Sequence, residues 1–189
     1  MKPYRIWIVL ALYTSWIESV PALDMKLIPV IDHKELQSDE RFLNATLVEV
    51  GDRQWNRTYL VHFEALREIK EFKAFFSYSV RVFDGAVQKV LLSRWVDGCE
   101  LYRKPPTDRM VRLFYDPVMK YSRISCCPYK PGVSIMVNVT PSDFPMPSFL
   151  PESEFLVEVR AYTRARADLF FETRWYGRLV RMFNVNKNI

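Results

Sequence analysis

Apolar and polar residues alternate over several stretches of the chain. In the longest run, every second residue is apolar, namely Phe72, Ala74, Phe76, Tyr78, Val80 and Val82. The same period of two recurs in residues 59–65, 133–139, 155–161 and 171–179. Such alternation predicts strands that bury one face. A further strand is predicted over residues 87–95, because the turn signal Asp84-Gly85 comes just before it.

Three other segments do not alternate. Residues 23–39 show no clear period, and we expect an extended lead-in there. A short helix is predicted near residues 107–121, where apolar residues follow helical spacing after a Pro-Pro break. Pro117 is expected to end or kink that helix. The four prolines within residues 141–151 predict a loop.

Six or more alternating strands with one helical insertion predict a mainly β protein, built as an antiparallel two-sheet sandwich. The chain has 189 residues, of which 49% are hydrophobic, enough for one domain with a real core. We find no internal repeat and no low-complexity tract. The sequence therefore predicts a single domain over residues 23–189.

Residues 1–22 have the pattern of a secretory signal peptide. A basic start precedes a short apolar run, and Ala22 stands where a peptidase would cut. The alternative, a membrane anchor, needs about 20 apolar residues, more than this run supplies. We therefore expect a secreted, extracellular protein that does not span the membrane. The formal net charge of +5 is too small an excess to indicate binding to nucleic acid.

A secreted chain can carry disulfides, and this one has three cysteines. Cys99 would pair with Cys126 or Cys127, closing a loop of about 28 residues and stabilising the fold by roughly 3.5 kcal/mol. The proline after Cys127 favours an extended backbone there, so Cys127 is the preferred partner. Three sequons predict glycosylation at Asn44, Asn56 and Asn138, with alternation placing the third on a solvent-exposed face.

The residues argue against catalysis and metal binding. A nucleophilic cysteine needs a histidine partner, and the chain has only His33 and His62. Adjacent Cys126 and Cys127 do not match the spacing of zinc ligands. The five glycines do not cluster into a phosphate loop, and no Gly-x-Ser-x-Gly motif is present. We predict a non-enzymatic protein that uses no cofactor or metal.

Aromatic residues are the candidate ligand-binding residues. They would either fill the core to normal density or line an open cavity between the sheets, and alternation does not distinguish these alternatives. Seven lie on the buried parity of predicted strands, one in the predicted helix and one in the loop. The set is Phe63, Phe76, Tyr78, Trp95, Phe114, Phe149, Phe155, Phe171 and Trp175.

Arginines cluster in the last two predicted strands. Most fall on the polar parity, which favours an ordinary solvated sheet face. The alternative is a basic surface that meets an acidic lipid or a receptor. These residues are Arg160, Arg164, Arg166, Arg174, Arg178 and Arg181.

Short motifs occur in an order that resembles a known family. They are a Ser-Tyr-Ser-Val-Arg-Val strand, a Val96-Asp97-Gly98-Cys99 corner, a Cys127-Pro128-Tyr129 strand start, a proline-rich loop and a terminal hairpin. Over roughly residues 44–181 the chain resembles a large insect family of secreted proteins of unknown function. That family is related to the CheA and CheB chemosensory proteins and to the ML lipid-recognition group, which includes the ganglioside activator.

The resemblance implies an immunoglobulin-like, ML-like sandwich whose sheets splay to hold a lipid, with no catalytic residues and a disulfide between Cys99 and Cys127. The first functional hypothesis is a secreted binder of a lipid or other hydrophobic small molecule. The resemblance implies insect chemosensation or pheromone response as its biological setting. The second is an extracellular protein-interaction module, accessory to a membrane receptor or channel. A void of several hundred cubic ångströms would favour the first.

Overall fold

Two antiparallel sheets form, as the alternation predicts. The computed structural model describes residues 25–81, 88–125, 127–164 and 167–183. The strands there are β1 (Met25–Ser38), β2 (Leu43–Val50), β3 (Thr58–Ala65), β4 (Phe72–Arg81), β5 (Gln88–Asp97), β6 (Ser134–Val139), β7 (Glu154–Thr163) and β8 (Leu169–Phe183). Within these residues one sheet has the order β1-β8-β7-β4-β5 and the other β2-β3-β6. The mainly β, two-sheet fold class is confirmed.

The predicted alternation sorts side chains onto the inner faces of the sheets. Tyr78 of β4, Phe155 of β7 and Trp175 of β8 are buried on one sheet, and Tyr59 of β3 is buried on the facing sheet. Strand β7 lies between β4 and β8, pairing with both. One core cluster forms around these four residues, and a second forms around Phe171. The two clusters lie at opposite ends of β7, because the first includes Phe155 and the second Ala161.

The lead-in predicted over residues 23–39 is in fact a full strand. β1 pairs with β8 from Met25 to Ser38. Its residues from Leu27 to Ile31 are all buried, so no alternation marks it. The pairing of β1 with β8 is irregular after Ile31, which changes the side of the sheet that alternate residues face. Pro29 is compatible with this strand because β1 is an edge of its sheet. Strand β2 was not predicted either.

A short helix, α1 (Gly98–Arg103), follows β5 directly and was not predicted. The Asp97 carboxylate caps it, accepting hydrogen bonds from the backbone N of Cys99 at 3.1 Å and of Glu100 at 2.9 Å. The helix places Cys99 against Cys127, and the two form a buried disulfide with a Cα–Cα distance of 5.5 Å. The preferred pairing is thus confirmed. Cys126 lies outside the described residues.

The predicted helical insertion is α2 (Arg109–Tyr121). Asp108 caps it, accepting a hydrogen bond from the backbone N of Met110 at 2.8 Å. Of the two outcomes expected at Pro117, an end of the helix is excluded, since the helix continues to Tyr121, the predicted limit. Ser122 closes the last turn, because both its backbone N and its hydroxyl donate to the carbonyl of Val118.

Several predictions fall on residues that the structure does not describe. They are the signal peptide over residues 1–22, the Asp84-Gly85 turn, and the residues Val82, Val87 and Arg166. In the part of the chain that is described, every helix is too short or too polar to cross a bilayer.

The three predicted glycosylation sites differ in exposure. Asn44 on β2 and Asn56 before β3 are exposed, and their modification stays a prediction. Asn138 lies on the outer parity of β6 with the exposed Ser134 and Met136, as predicted, but it is itself half-buried with its side-chain oxygen covered. Its modification also stays a prediction. The residues after α2 run along the free edge of β6, where the Ser122 hydroxyl accepts from the backbone N of Asn138 at 2.9 Å and Arg123 pairs with Met136.

Candidate functional site

The inner faces of the two sheets do not fill the space between them. Cavities of about 140 Å³ and about 200 Å³ remain between them in the described part of the chain. Val159, in the middle of β7, lines both, so the cavities are neighbours. Together they reach the lower end of the roughly 300–1,000 Å³ that ligand sites usually occupy. The structure therefore favours a partly hollow interior over a completely filled core.

The smaller, helix-side cavity lies between β7 and helix α2. Strands β1, β4, β6 and β8 and the loop after β6 supply the rest of its wall. Its lining is Pro29, Ile31, Phe76, Tyr78, Phe114, Val118, Val139, Pro141, Phe144, Met146, Phe155, Val157, Val159 and Trp175.

Helix α2 covers this cavity through one aromatic side chain. The Phe114 ring lies 5.0 Å from that of Phe76, 5.4 Å from that of Tyr78 and 5.8 Å from that of Phe144, measured between centroids. These contacts join the helix, β4 and the loop over one end of the space between the sheets. No residue of α2 is fully buried, so the cover is thin and lies close to solvent.

The larger, disulfide-side cavity lies at the other end of β7. The rings of Phe63 and Phe171 meet edge to face across it, with centroids 4.9 Å apart. The core cluster at this end includes Cys99 and Cys127. The cavity lining is Leu43, Phe63, Ala65, Ile69, Phe72, Ala74, Ile124, Tyr129, Ile135, Val137, Val159, Ala161, Phe170 and Phe171.

No charged side chain belongs to either lining. In the helix-side cavity, Tyr78 and Trp175 alone contribute side chains that carry a polar atom. The Tyr78 side chain is only 2% exposed, and its hydroxyl has no hydrogen-bond partner among the described residues. Burial raises the pKa of Tyr78 to about 12, so the hydroxyl stays protonated at ordinary pH. The cavities therefore suit uncharged, mostly apolar groups.

Seven of the nine predicted binding residues line these cavities. Five surround the helix-side cavity, namely Phe76, Tyr78, Phe114, Phe155 and Trp175. Phe63 and Phe171 line the disulfide-side cavity. Alternation placed the strand residues on the inner faces correctly. That they bind a ligand stays a prediction.

The other two residues lie elsewhere. Trp95 was predicted on a buried face but lies on the outer face, 42% exposed. It is opposite Phe75 in the β4–β5 register, and directly opposite residues share a face. Its ring lies 5.2 Å from that of Phe75 and 5.3 Å from that of Tyr162. Phe149 is 82% exposed in the loop and lines neither cavity.

Several lining residues were missed because nothing in the local pattern marks them. Pro29 and Ile31 belong to β1, whose buried run shows no alternation. Phe144 and Met146 come from the proline-rich loop, where no period predicts burial. Phe170 is buried beside Phe171 although neighbours in a strand normally face opposite ways. A register irregularity at Ala161/Tyr162 in the facing strand accompanies this exception.

Arg160, Arg174 and Arg178 lie on the outer face of the five-stranded sheet, away from the cavities. Arg160 lies 2.9 Å from the Glu158 carboxylate and 2.8 Å from that of Glu172. Arg174 lies 2.9 Å from Glu172. Arg164 pairs with Glu71, Arg178 pairs with Asp32, and Arg181 donates to the carbonyl of Leu150. These partners favour the solvated sheet face over a free basic surface.

An open groove of about 520 Å³ runs along the outer side of α2. Its charged lining residues are Lys26, Arg109, Arg112, Asp116, Lys120 and Asp143. Arg112 and Asp116 pair at 3.2 Å. The groove thus carries charges of both signs, unlike the uncharged cavity on the inner side of the same helix.

Neither histidine lines a cavity. His33 lies 3.6 Å from the Glu35 carboxylate at the surface, and the His62 Nε2 lies 2.7 Å from the Ser134 hydroxyl. Among the described residues no group of three or more His, Cys, Asp or Glu side chains is arranged to hold a metal ion.

A family model matches the middle of the chain. Residues 74–157 match the family described as "Protein of unknown function (DUF1091)". The match runs from β4 through both helices to the first part of β7, which is under half of the chain. Over these residues it supports the resemblance to a family of unknown function. No curated protein matches the chain at a significant level.

Two solved structures align with the chain. A Niemann-Pick type C2 protein from the Japanese carpenter ant is 10% identical, with a TM-score of 0.36, over 80% of this chain and 92% of that chain. Chicken MD-1 complexed with lipid IVa is 13% identical, with a TM-score of 0.36, over 82% of this chain and 96% of that chain. At these values neither alignment assigns a ligand to this protein.

Proposed function

We propose that this protein is a secreted, non-enzymatic binder of a lipid or other hydrophobic small molecule. The observation that carries the proposal is the pair of neighbouring cavities between the sheets, lined without a charged side chain. Each methylene group moved from water into such a space contributes about 0.8 kcal/mol. A ligand that fills both cavities would therefore bind chiefly through its apolar surface.

The helix-side cavity is the proposed point of access. Its cover consists of α2 and the loop, joined through the rings of Phe114 and Phe144. No residue of α2 is fully buried, and elements with few fully buried contacts open most easily in native proteins. The ligand would enter past the loop and reach the disulfide-side cavity beyond Val159.

The biological setting remains part of the proposal and comes from the sequence. Residues 1–22 have the pattern of a secretory leader, and the motif order resembles an insect family related to chemosensory proteins. Contact chemosensation or pheromone response is the setting that this resemblance suggests.

Native mass spectrometry of the glycoprotein, purified from secreting cells, tests ligand binding directly. We expect a co-purified lipid, or else saturable binding of a short fluorescent fatty-acid probe. Val159→Phe should weaken probe binding at least tenfold, because the larger side chain would occupy both cavities. Val90→Phe is the matched control, since Val90 is 57% exposed on β5. A chain that carries no lipid and binds no probe would refute the proposal.

A protein-interaction module, accessory to a membrane receptor or channel, is the second candidate function. The observation that favours it is the outer aromatic cluster of Phe75, Trp95 and Tyr162 beside the edge strand β5. Val90 and Leu91 extend this surface along the same strand. Loss of association with a receptor-bearing membrane in Trp95→Ala, with probe binding unchanged, would support this second function.

A further inference from the structure

The hydroxyl of Tyr78 is a polar atom in an otherwise apolar place. It is covered by protein and has no hydrogen-bond partner within the described residues. The great majority of buried hydroxyls in proteins are hydrogen-bonded, because a buried unpaired hydroxyl is unfavourable. An unpaired group of this kind calls for an explanation, and a ligand atom is one.

The position of Tyr78 connects this hydroxyl to the helix-side cavity. Tyr78 lies near the middle of β4, opposite Leu92 of β5 and Val157 of β7. Its ring packs against Phe114 at 5.4 Å and Phe155 at 6.0 Å, and all three residues line the cavity. The phenol is thus part of the cavity wall at the point that α2 covers.

The size of the cavity limits what can occupy it. An engineered apolar cavity of about 150 Å³ binds benzene, and the helix-side cavity is about 140 Å³. It therefore accommodates a group of about six or seven non-hydrogen atoms. A longer ligand has to continue past Val159 into the neighbouring cavity.

The charge of the lining limits the polar group of the ligand. No charged side chain lines the cavity, so a carboxylate or an ammonium group there would lose its hydration without compensation. Because burial raises the pKa of Tyr78 to about 12, its hydroxyl keeps the proton and can both donate and accept. A neutral oxygen satisfies it, whether the oxygen is a hydroxyl or a carbonyl.

We infer that the helix-side cavity binds a small neutral molecule with an apolar body and one oxygen, an alcohol or a carbonyl compound, and that this oxygen hydrogen-bonds to the Tyr78 hydroxyl. The inference rests on the proposed ligand-binding function and names the chemical class of the ligand. It differs from an anionic amphiphile, whose head group would instead be held outside α2 by Lys26, Arg109 or Lys120 in the open groove.

Cyclohexanol and methylcyclohexane separate these possibilities, since each has seven non-hydrogen atoms and only the first carries an oxygen. Affinities for both are measured by NMR titration on the wild type and on Tyr78→Phe, which removes only the hydroxyl. We expect Tyr78→Phe to bind cyclohexanol about fivefold more weakly, the effect of one lost hydrogen bond, and methylcyclohexane equally well. Tyr162→Phe, altered on the outer face, should match the wild type with both probes.

A second readout uses the unaltered chain and does not depend on the variant folding. In the complex with cyclohexanol, the proton on the oxygen-bearing carbon should show nuclear Overhauser contacts to the Tyr78 ring. Contacts from that proton to Phe144 alone would place the oxygen at the cover and overturn the inference.

The remaining outcomes are equally decisive. Equal loss of both probes in Tyr78→Phe, or no loss of either, would overturn the inference while leaving hydrophobic binding intact. Tighter binding of hexanoate than of cyclohexanol would favour the anionic amphiphile and overturn it as well. Failure of the wild type to bind any of these probes would overturn it too, and native mass spectrometry then shows separately whether the proposed function fails.

Discussion

The two ends of the space between the sheets are closed by different means. At one end the Cys99–Cys127 disulfide joins α1 to the segment before β6, and both cysteines are buried in the second core cluster. At the other end the cover is α2 and a proline-rich loop, held by contacts between half-buried rings such as Phe114. A covalent bond holds the first end closed, whereas the second end can open without breaking one.

This difference indicates how an apolar cavity in a stable sandwich can exchange its contents. The strands and the disulfide maintain the shape of the cavity, whereas the helix is the cover that opens in the proposed function. Elements with few buried contacts open most easily in native proteins. The following predictions test this division, in order of decreasing expected effect.

Removing the disulfide should have the largest effect. The double variant Cys99→Ala/Cys127→Ala is expected to lose about 3.5 kcal/mol of unfolding free energy, because the unfolded chain gains the freedom of an open loop. Urea denaturation measures the loss. Lys130→Ala, an exposed change close to Cys127, serves as the control and should retain wild-type stability. If both variants unfolded at the same urea concentration, the covalent closure would not distinguish the two ends.

The sheet beneath the helix-side cavity should be as intolerant of change as the disulfide end. A Cβ at Gly177 would lie 2.2 Å from the carbonyl oxygen of Val30 and 2.7 Å from the Phe155 ring. Gly177→Ala should therefore lower the unfolding free energy by about 3 kcal/mol, since the backbone of β1 has to move. Thermal unfolding measures this, with Arg178→Ala on the exposed face as the control. A loss below about 0.5 kcal/mol would show that β1 is easily displaced.

The cover should be less important for stability and more important for binding. Phe114→Ala removes the ring that joins α2 to Phe76 and Tyr78, at a cost of about 2 kcal/mol, because the ring is only half-buried. Faster amide exchange is expected in α2 and unchanged exchange in β7. Met110→Ala, on the exposed side of the same helix, is the control. Uniformly faster exchange throughout the chain would contradict a separately opening cover.

The smallest effect concerns the pH dependence of the disulfide end. The hydrogen bond from Lys73 at 2.9 Å, together with those from the backbone of α1, lowers the pKa of Asp97 below its ordinary value. The Asp97 carboxylate therefore stabilises the fold at pH values above its pKa in the unfolded chain, which is about 3.9. This stabilisation disappears as the pH falls through the lower pKa that Asp97 has in the folded protein.

Asp97→Asn keeps a side chain that can cap α1 and removes the charge. The difference in unfolding free energy between this variant and the wild type should be present at pH 6 and vanish towards pH 2. Denaturation at several pH values measures it, and Lys73→Met should reduce the same pH dependence. A difference that stays constant down to pH 2 would show that the carboxylate does not contribute through its charge.

Much of this architecture could be predicted without coordinates. Strands β3, β4, β6, β7 and β8 bury one face each, and a period of two in the sequence is a direct consequence of that arrangement. The disulfide was predictable because only two partners were open to Cys99 and the proline after Cys127 favoured one of them. Strand β1 could not be predicted in this way, because burial on both faces replaces alternation with a continuous apolar run.

The local pattern also predicted which aromatic residues face inward. That prediction failed where the register between paired strands decides the face. Trp95 lies on the outer face because its partner Phe75 does, a relation that depends on the register between two strands. The distinction between a filled and a hollow core depends on the separation of two sheets that are distant in sequence.

By itself, then, the sequence determined the alternating strands, the helical insertion and the covalent bond, since each follows from residues close together or from simple periodicity. Tertiary structure alone decided that cavities remain between the sheets, that α2 covers one of them, and that the Tyr78 hydroxyl is buried without a partner among the residues the structure describes. These features arise where elements distant in the chain come together, and no period in the sequence encodes the volume left between them.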